Sequence, residues 1–207
     1  KKEKRELRLT IKNSFTENYD STYLNSLNNF QNAPIIFNDT TDQKQEQRTE
    51  NQNHSALISF KEPFWKLFTI NTEYFFKYIN NRQIKETNDF NSISEQYDIT
   101  NNNLTNDFTT NKLTNRMGLF LNYRFKKQRF KIGAYARNVG IENIIFNDSA
   151  INQNIFNVLP QISYSYKFTN SKRFRFNYRT NSSQPSINQL QPVQNNSNPN
   201  RITVGNS

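Results

Sequence analysis

The sequence contains no cysteine, one histidine and four glycines, and it has no long apolar run. Each scarcity removes a class of function. Without cysteine there is neither a disulfide framework nor thiolate chemistry, which leaves the redox compartment open. His54 has no second histidine and no cysteine with which to share a transition metal, so it reads as a solvated loop residue. Four scattered glycines cannot wrap a phosphate, and the sequence holds no G-x-S-x-G elbow and no H-E-x-x-H pair. The acid pairs Glu17/Asp20 and Asp39/Asp42 lack the ligand spacing of a calcium loop. The expectation is a chain with no catalytic site, no cofactor and no bound metal. No stretch of about 18 apolar residues occurs, which excludes a transmembrane helix but not a transmembrane barrel.

Apolar residues are also few. Only 33% of the chain is hydrophobic and its mean hydropathy is −0.94, a balance typical of disorder. Yet 18 Phe and 10 Tyr need somewhere to go. A sheet with one apolar face reconciles the two, because only alternate strand residues are then apolar and the connections are polar. The net charge of +10 invites nucleic acid as partner, although AT-rich coding also raises Lys, together with Asn, Ile, Phe and Tyr.

Period-two alternation predicts about seven strands. Leu7, Leu9, Ile11 and Phe15 mark the first, and Ala56, Ile58 and Phe60 the second. Phe68, Ile70, Tyr74, Phe76 and Tyr78 mark the third, with Phe75 breaking its polar face. Met117, Leu119, Leu121, Tyr123 and Phe125 mark the fourth, with Phe120 out of place. Phe130, Ile132, Ala134 and Ala136 mark the fifth. Phe156, Val158, Ile162, Tyr164, Tyr166 and Phe168 mark the sixth, where Pro160 predicts a bulge or local break. Phe174, Phe176 and Tyr178 mark the seventh. Lys1–Lys4 reads as a cationic turn. Glu17 to Asn53 reads as a long polar loop, with Pro34-Ile35-Ile36-Phe37 as a short hairpin inside it. Asn80 to Asn115 and Asn181 to Asn200 read as loops as well, and the strand before Asn138 is expected to run on past the membrane.

The faces are lopsided. Ile70, Tyr74, Leu121, Ile132, Ile162, Tyr164, Phe174 and Phe176 are expected to face lipid. Arg116, Arg124, Lys131, Arg137, Arg173, Arg175 and Arg179 are expected to face a wet lumen. These cations either line an anion-friendly conduit, contact a plug, or only keep that face hydrated. Phe64, Trp65, Phe125 and Phe168, beside the turns, read either as an interfacial girdle or as ordinary strand-end packing. Short turns follow the second, fourth and sixth strands, and long polar segments follow the others. One trimmed end and one elaborated end is the asymmetry of outer-membrane barrels. The fold class is therefore all-β: an antiparallel up-and-down meander, part of a transmembrane outer-membrane β-barrel.

The stretch after the seventh strand carries a resemblance. Arg179-Thr180 is followed by Gln184-Pro185-Ser186-Ile187, then Gln189-Leu190-Gln191-Pro192-Val193 and Asn196-Ser197-Asn198-Pro199. This order resembles a segment of the barrel of TonB-dependent receptors of the Bacteroidetes type. Glu62-Pro63-Phe64 and Asn157-Val158-Leu159-Pro160 are similar to that family too. The resemblance implies a barrel of about 22 strands around a plug domain, energised by a TonB-type periplasmic protein, for uptake of a scarce ligand. It implies contact with outer-membrane lipid in the bacterial outer membrane. Residues 1–207 then read as an internal part of the barrel domain, without plug, whose remaining strands belong to the same chain. A secreted or surface-attached soluble β-sheet that binds glycan or protein is the alternative. Nucleic acid is disfavoured, because aromatic and basic residues occupy opposite faces and cannot stack and neutralise together.

Overall fold

The computed structural model describes residues 5–32, 35–145, 151–183, 195–198 and 201–203. Ten strands follow in order: β1 (Glu6–Asn32), β2 (Ile35–Trp65), β3 (Phe68–Asn91), β4 (Gln96–Thr100), β5 (Asn106–Phe125), β6 (Gln128–Ile145), β7 (Ile151–Lys167), β8 (Arg173–Arg179), β9 (Asn195–Asn198) and β10 (Arg201–Thr203). The first eight form one sheet in the order β1-β2-β3-β5-β6-β7-β8, with β4 beside β3, and β9 pairs β10 separately. Every neighbouring pair is antiparallel. The sheet is an all-β antiparallel meander curled into a half-barrel.

The tight connections β2–β3, β5–β6 and β7–β8 all lie at one end, which we term the turn end. Their flanking residues stand side by side, Phe68 opposite Tyr123 and Gln128 opposite Tyr166. The far end is different from the expectation. Glu17 to Asn53 is not a loop: β1 runs 27 residues and β2 runs 31. They pair without a slip from Glu6↔Lys61 to Asn32↔Ile35. The apolar island at Ile35–Phe37 opens β2 opposite the end of β1 and is no separate hairpin. Likewise β3 continues to Asn91, and β5 begins at Asn106. As expected, β6 continues past Asn138, to Ile145. Lys1–Lys4 and residues 184–194 lie outside the described residues, and 195–198, within the expected loop, are strand paired with 201–203.

Alternation fails in these extensions because both faces are wet, so nothing requires apolar side chains on either. The backbone ladder is what continues. Exposed ion pairs decorate it: Arg48 with Glu17 and Glu50, both at 2.9 Å, and Arg82 with Asp107 at 2.6 Å. Each contributes only about 0–1 kcal/mol. A hydrogen bond from Lys44 and another from the Tyr19 hydroxyl hold the Glu46 carboxyl below the usual carboxylate range. That tie therefore persists at neutral pH and opens only as acid protonates Glu46. Tyr19 and Arg48 stand directly opposite each other. Replacing residues 20–47 by an Asn-Gly turn should therefore leave the barrel folded, with its heat-dependent gel shift intact. Loss of that shift would mean the extension is needed for assembly.

Pro160 causes no bulge toward β6, where Ala134↔Pro160 stays in register. The break is on the other side. The Pro160 carbonyl accepts from Thr180 N at 3.3 Å and Thr180 Oγ1 at 2.9 Å, and the β8 ladder ends at Gln161↔Arg179. A residue's N–H and C=O point the same way in an antiparallel strand, so the missing donor faces the place where β8 leaves.

Candidate functional site

Paired residues share a face, so the register sorts every side chain. Ile70, Leu121, Ile132, Ile162 and Tyr178 form one row across β3, β5, β6, β7 and β8. Tyr164 and Phe176 pair in the next row and Tyr166 and Phe174 in the one after. Tyr74 lies two rows toward the far end, opposite Met117. All eight residues expected at lipid therefore share one face. It is also the face with Leu7, Leu9, Ile11, Ile58, Leu119, Phe156 and Val158, all exposed.

On this outer face the apolar band runs from Phe68 to Tyr78 on β3 and from Phe156 to Tyr166 on β7. Ten residue steps cover about 34 Å of strand, or about 26 Å of height at a tilt of about 40°. That matches the ~25 Å apolar band of an outer-membrane barrel. Above it the same face turns polar at Asn80 and Arg82 on β3, Asn111 on β5, Glu142 on β6 and Asn154 on β7. At the turn end Phe64, Trp65, Phe125 and Phe168 are exposed, where an interfacial girdle belongs.

The opposite, inner face carries Arg116, Arg124, Lys131, Arg137, Arg173, Arg175 and Arg179. A single sheet buries side chains only where curvature crowds them. Phe108, Phe120, Val139, Ile141 and Leu159 are buried, and all five lie on this face, so it is the concave one. The two residues that broke the alternation, Phe75 and Phe120, anchor its centre. The Arg116 guanidinium lies 4.9 Å from the Phe75 ring centre and 4.5 Å from that of Tyr135. Tyr135 meets Phe120 edge to face at 4.8 Å and donates to Glu73 Oε2 at 2.9 Å. Lys131 Nζ sits 4.0 Å over the Phe120 ring. Cation–π contacts of this kind hold arginine and lysine stems against the wall.

Space for those rings comes from glycine. Gly118 pairs with Tyr135, and Gly133 with Phe120. A Cβ on Gly118 would meet the Tyr135 ring at 2.5 Å, and one on Gly133 would meet Phe120 Cδ1 at 2.5 Å and the Leu119 carbonyl oxygen. Two neighbouring rows thus hold the same lock in opposite senses, ring on β6 then ring on β5. This is aromatic rescue of glycine at a strongly curved part of the wall.

Toward the turn end the inner face opens into a groove of about 1610 Å³, reached by Lys61, Arg124, Arg129, Lys131, Arg173 and Arg175. Arg129 was not among the residues expected there. Its place beside the Lys126–Gln128 turn masked it, although counting back by two from Lys131 gives it. Glu62 is the one acid lining this groove among the described residues, and Arg5 is hydrogen-bonded to it. Arg137 reaches across β7, donating from Nη2 to Asn157 Oδ1 at 3.2 Å and to the Ser182 carbonyl at 2.9 Å. Arg179, opposite Gln161, is exposed.

An apolar convex band of membrane height and a hydrated cationic concave wall are what lipid outside and water inside require. The comparison with known families agrees: residues 1–207 match the model of the outer membrane protein beta-barrel family. The chain belongs to that family. Membership places this outer membrane protein beta-barrel in the bacterial outer membrane and sets aside the soluble sheet. No curated protein and no solved structure matches the chain.

Proposed function

We propose that this wall belongs to a receptor of the TonB-dependent type, in which a plug domain fills the lumen and an energised periplasmic protein drives uptake of a scarce ligand. The observation that carries the reading is the inner face. It is hydrated and cationic from the turn end to the Arg116–Arg137 row, and beyond that row it carries mainly neutral polar residues around the buried Phe108, Val139 and Ile141. A small barrel whose only task is to anchor in lipid fills its interior with side chains. Here the packed parts lie at Phe120–Tyr135 and, farther along, at Phe108, Val139 and Ile141, and a groove remains open at the turn end. The sequence of residue types from Arg179 to Pro199 supports the same reading, as does the contrast of short turns with long extensions. The reading assigns the wall no catalytic role and no cofactor. Its partners are lipid, the plug, the TonB-type protein and the strands that complete the barrel.

Genetic interaction tests this. A deletion should cause a growth defect on one limiting solute of a panel, and removal of the TonB-type protein should reproduce that defect without adding to it. A defect that adds to loss of the energising protein would mean the barrel works without it.

A further inference from the structure

Like charges directly opposite on neighbouring strands destabilise a sheet, because their Cβ atoms are only about 4.5–5.5 Å apart. The inner face does this three times, once at the turn end, where Lys167 stands opposite Arg173. Arg124 stands opposite Arg129, and the same row continues through Ser165 to Arg175. Farther along, Arg116 stands opposite Arg137. The Nε atoms of both Arg116 and Arg137 are buried and make no hydrogen bond. On the turn side of Glu73, the inner positions of β3 to β8 hold no Asp or Glu among the described residues. A hydrated wall needs polar side chains, which Ser, Thr and Asn supply without repulsion. Three arginines in one row of four, followed by a second arginine pair, is more cation than wetting requires.

We infer that the solute passing along this wall is a small polyanion bearing phosphate or carboxylate groups, gathered by the Arg116–Arg137 pair and by the Arg124–Arg129–Arg175 row. Guanidinium groups recognise such oxyanions through paired N–H donors, and an anion between them removes the repulsion that the register imposes. Two cationic stations separated along the wall also fit passage better than permanent binding, since a solute must leave each station as well as reach it. The groove at the row is wide enough for such a solute with its water. The inference deepens the receptor reading, resting on it for the premise that the ligand travels through the lumen.

The test uses the full-length protein in nanodiscs at low salt, with inorganic tripolyphosphate as probe and no energising partner. Calorimetry should show saturable binding that weakens as salt rises, and R124Q/R129Q/R175Q should lower the affinity at least about tenfold. R48Q/R82Q, on the outer face of the extension, should leave it unchanged. Ser165→Cys, in the middle of the row, should react with a membrane-impermeant maleimide and be protected by added probe. Absence of binding, or an equal loss in R48Q/R82Q, overturns the inference. So does a thiol in Ser165→Cys that is already shielded before probe is added, which would assign the row to an acidic polypeptide segment instead. Because no TonB-type protein is present, failure here leaves energised uptake standing, and failure of the genetic test leaves this binding standing.

Discussion

Gly133→Val should abolish recovery of the folded, heat-modifiable barrel, while Gly140→Ala should fold at least as well as the parent. The difference lies in what a new Cβ meets. At Gly133 it meets backbone, the Leu119 carbonyl oxygen and Phe120 Cα at 2.8 Å, besides the Phe120 ring. Backbone in the middle of a paired strand cannot step aside without breaking the β5–β6 ladder. The cost should reach or pass the ~3 kcal/mol upper end of ordinary overpacking. At Gly118 the obstacles are side chains only, the Tyr135 ring at 2.5 Å and Phe120 Cε2 at 3.0 Å, but the Tyr135 ring is held by Phe120, Arg116 and Glu73. Gly118→Ala should therefore fold with a smaller loss. At Gly140 nothing lies within 4 Å, and its backbone needs no positive φ. Alanine there narrows the unfolded ensemble and should add about 0.4–1 kcal/mol. Denaturant titration into lipid vesicles orders the three variants, and equal stability of Gly133→Val and Gly140→Ala would remove the reciprocal locks from the account of how this wall folds.

The same locks mark the limit of what the sequence discloses. Inside the lipid band one face must be apolar, so alternation is enforced and the strands, faces and short turns are all legible. Phe75 and Phe120 look like faults in that pattern, because period two says which face a side chain takes and nothing about curvature. Only pairing shows that the apparent faults stand beside Arg116, Tyr135 and the two glycines. Above the band the constraint is gone. Residues such as Gln43 to Asn53 are polar on both faces yet remain paired to β1 and β3. Composition marks them as loop; the continuing ladder makes them strand. Arg129 escaped notice for a related reason, since a residue next to a turn has too few neighbours on one side to establish its phase.

Ile132→Arg should cost about 2–4 kcal/mol of folding stability in lipid, and Ser163→Arg only a few tenths. The two sites are close: Lys131, next to Ile132 on β6, pairs with Ser163 on β7. Ile132 lies on the outer face within the apolar band, flanked by Leu121 and Ile162, with paired strands on both sides. An arginine there either enters hydrocarbon or drags water and headgroups toward the band, and both cost solvation of the charge. Ser163 lies on the inner face among hydrated groups, its hydroxyl donating to Asn177 Oδ1 at 2.8 Å. An added guanidinium stays in water there and meets only repulsion from Lys131 and the arginines of the adjacent rows, which salt screens. The two penalties should therefore differ in kind as well as size. Raising salt should shrink the small one and leave the large one in place, because desolvation does not depend on counterions. Register makes this contrast strict: a slip of one residue would turn Arg124, Arg129 and Lys131 into the lipid and the Ile132 row into the lumen. Equal penalties at the two positions, or a large penalty that salt relieves, would show that lipid does not cover the convex face.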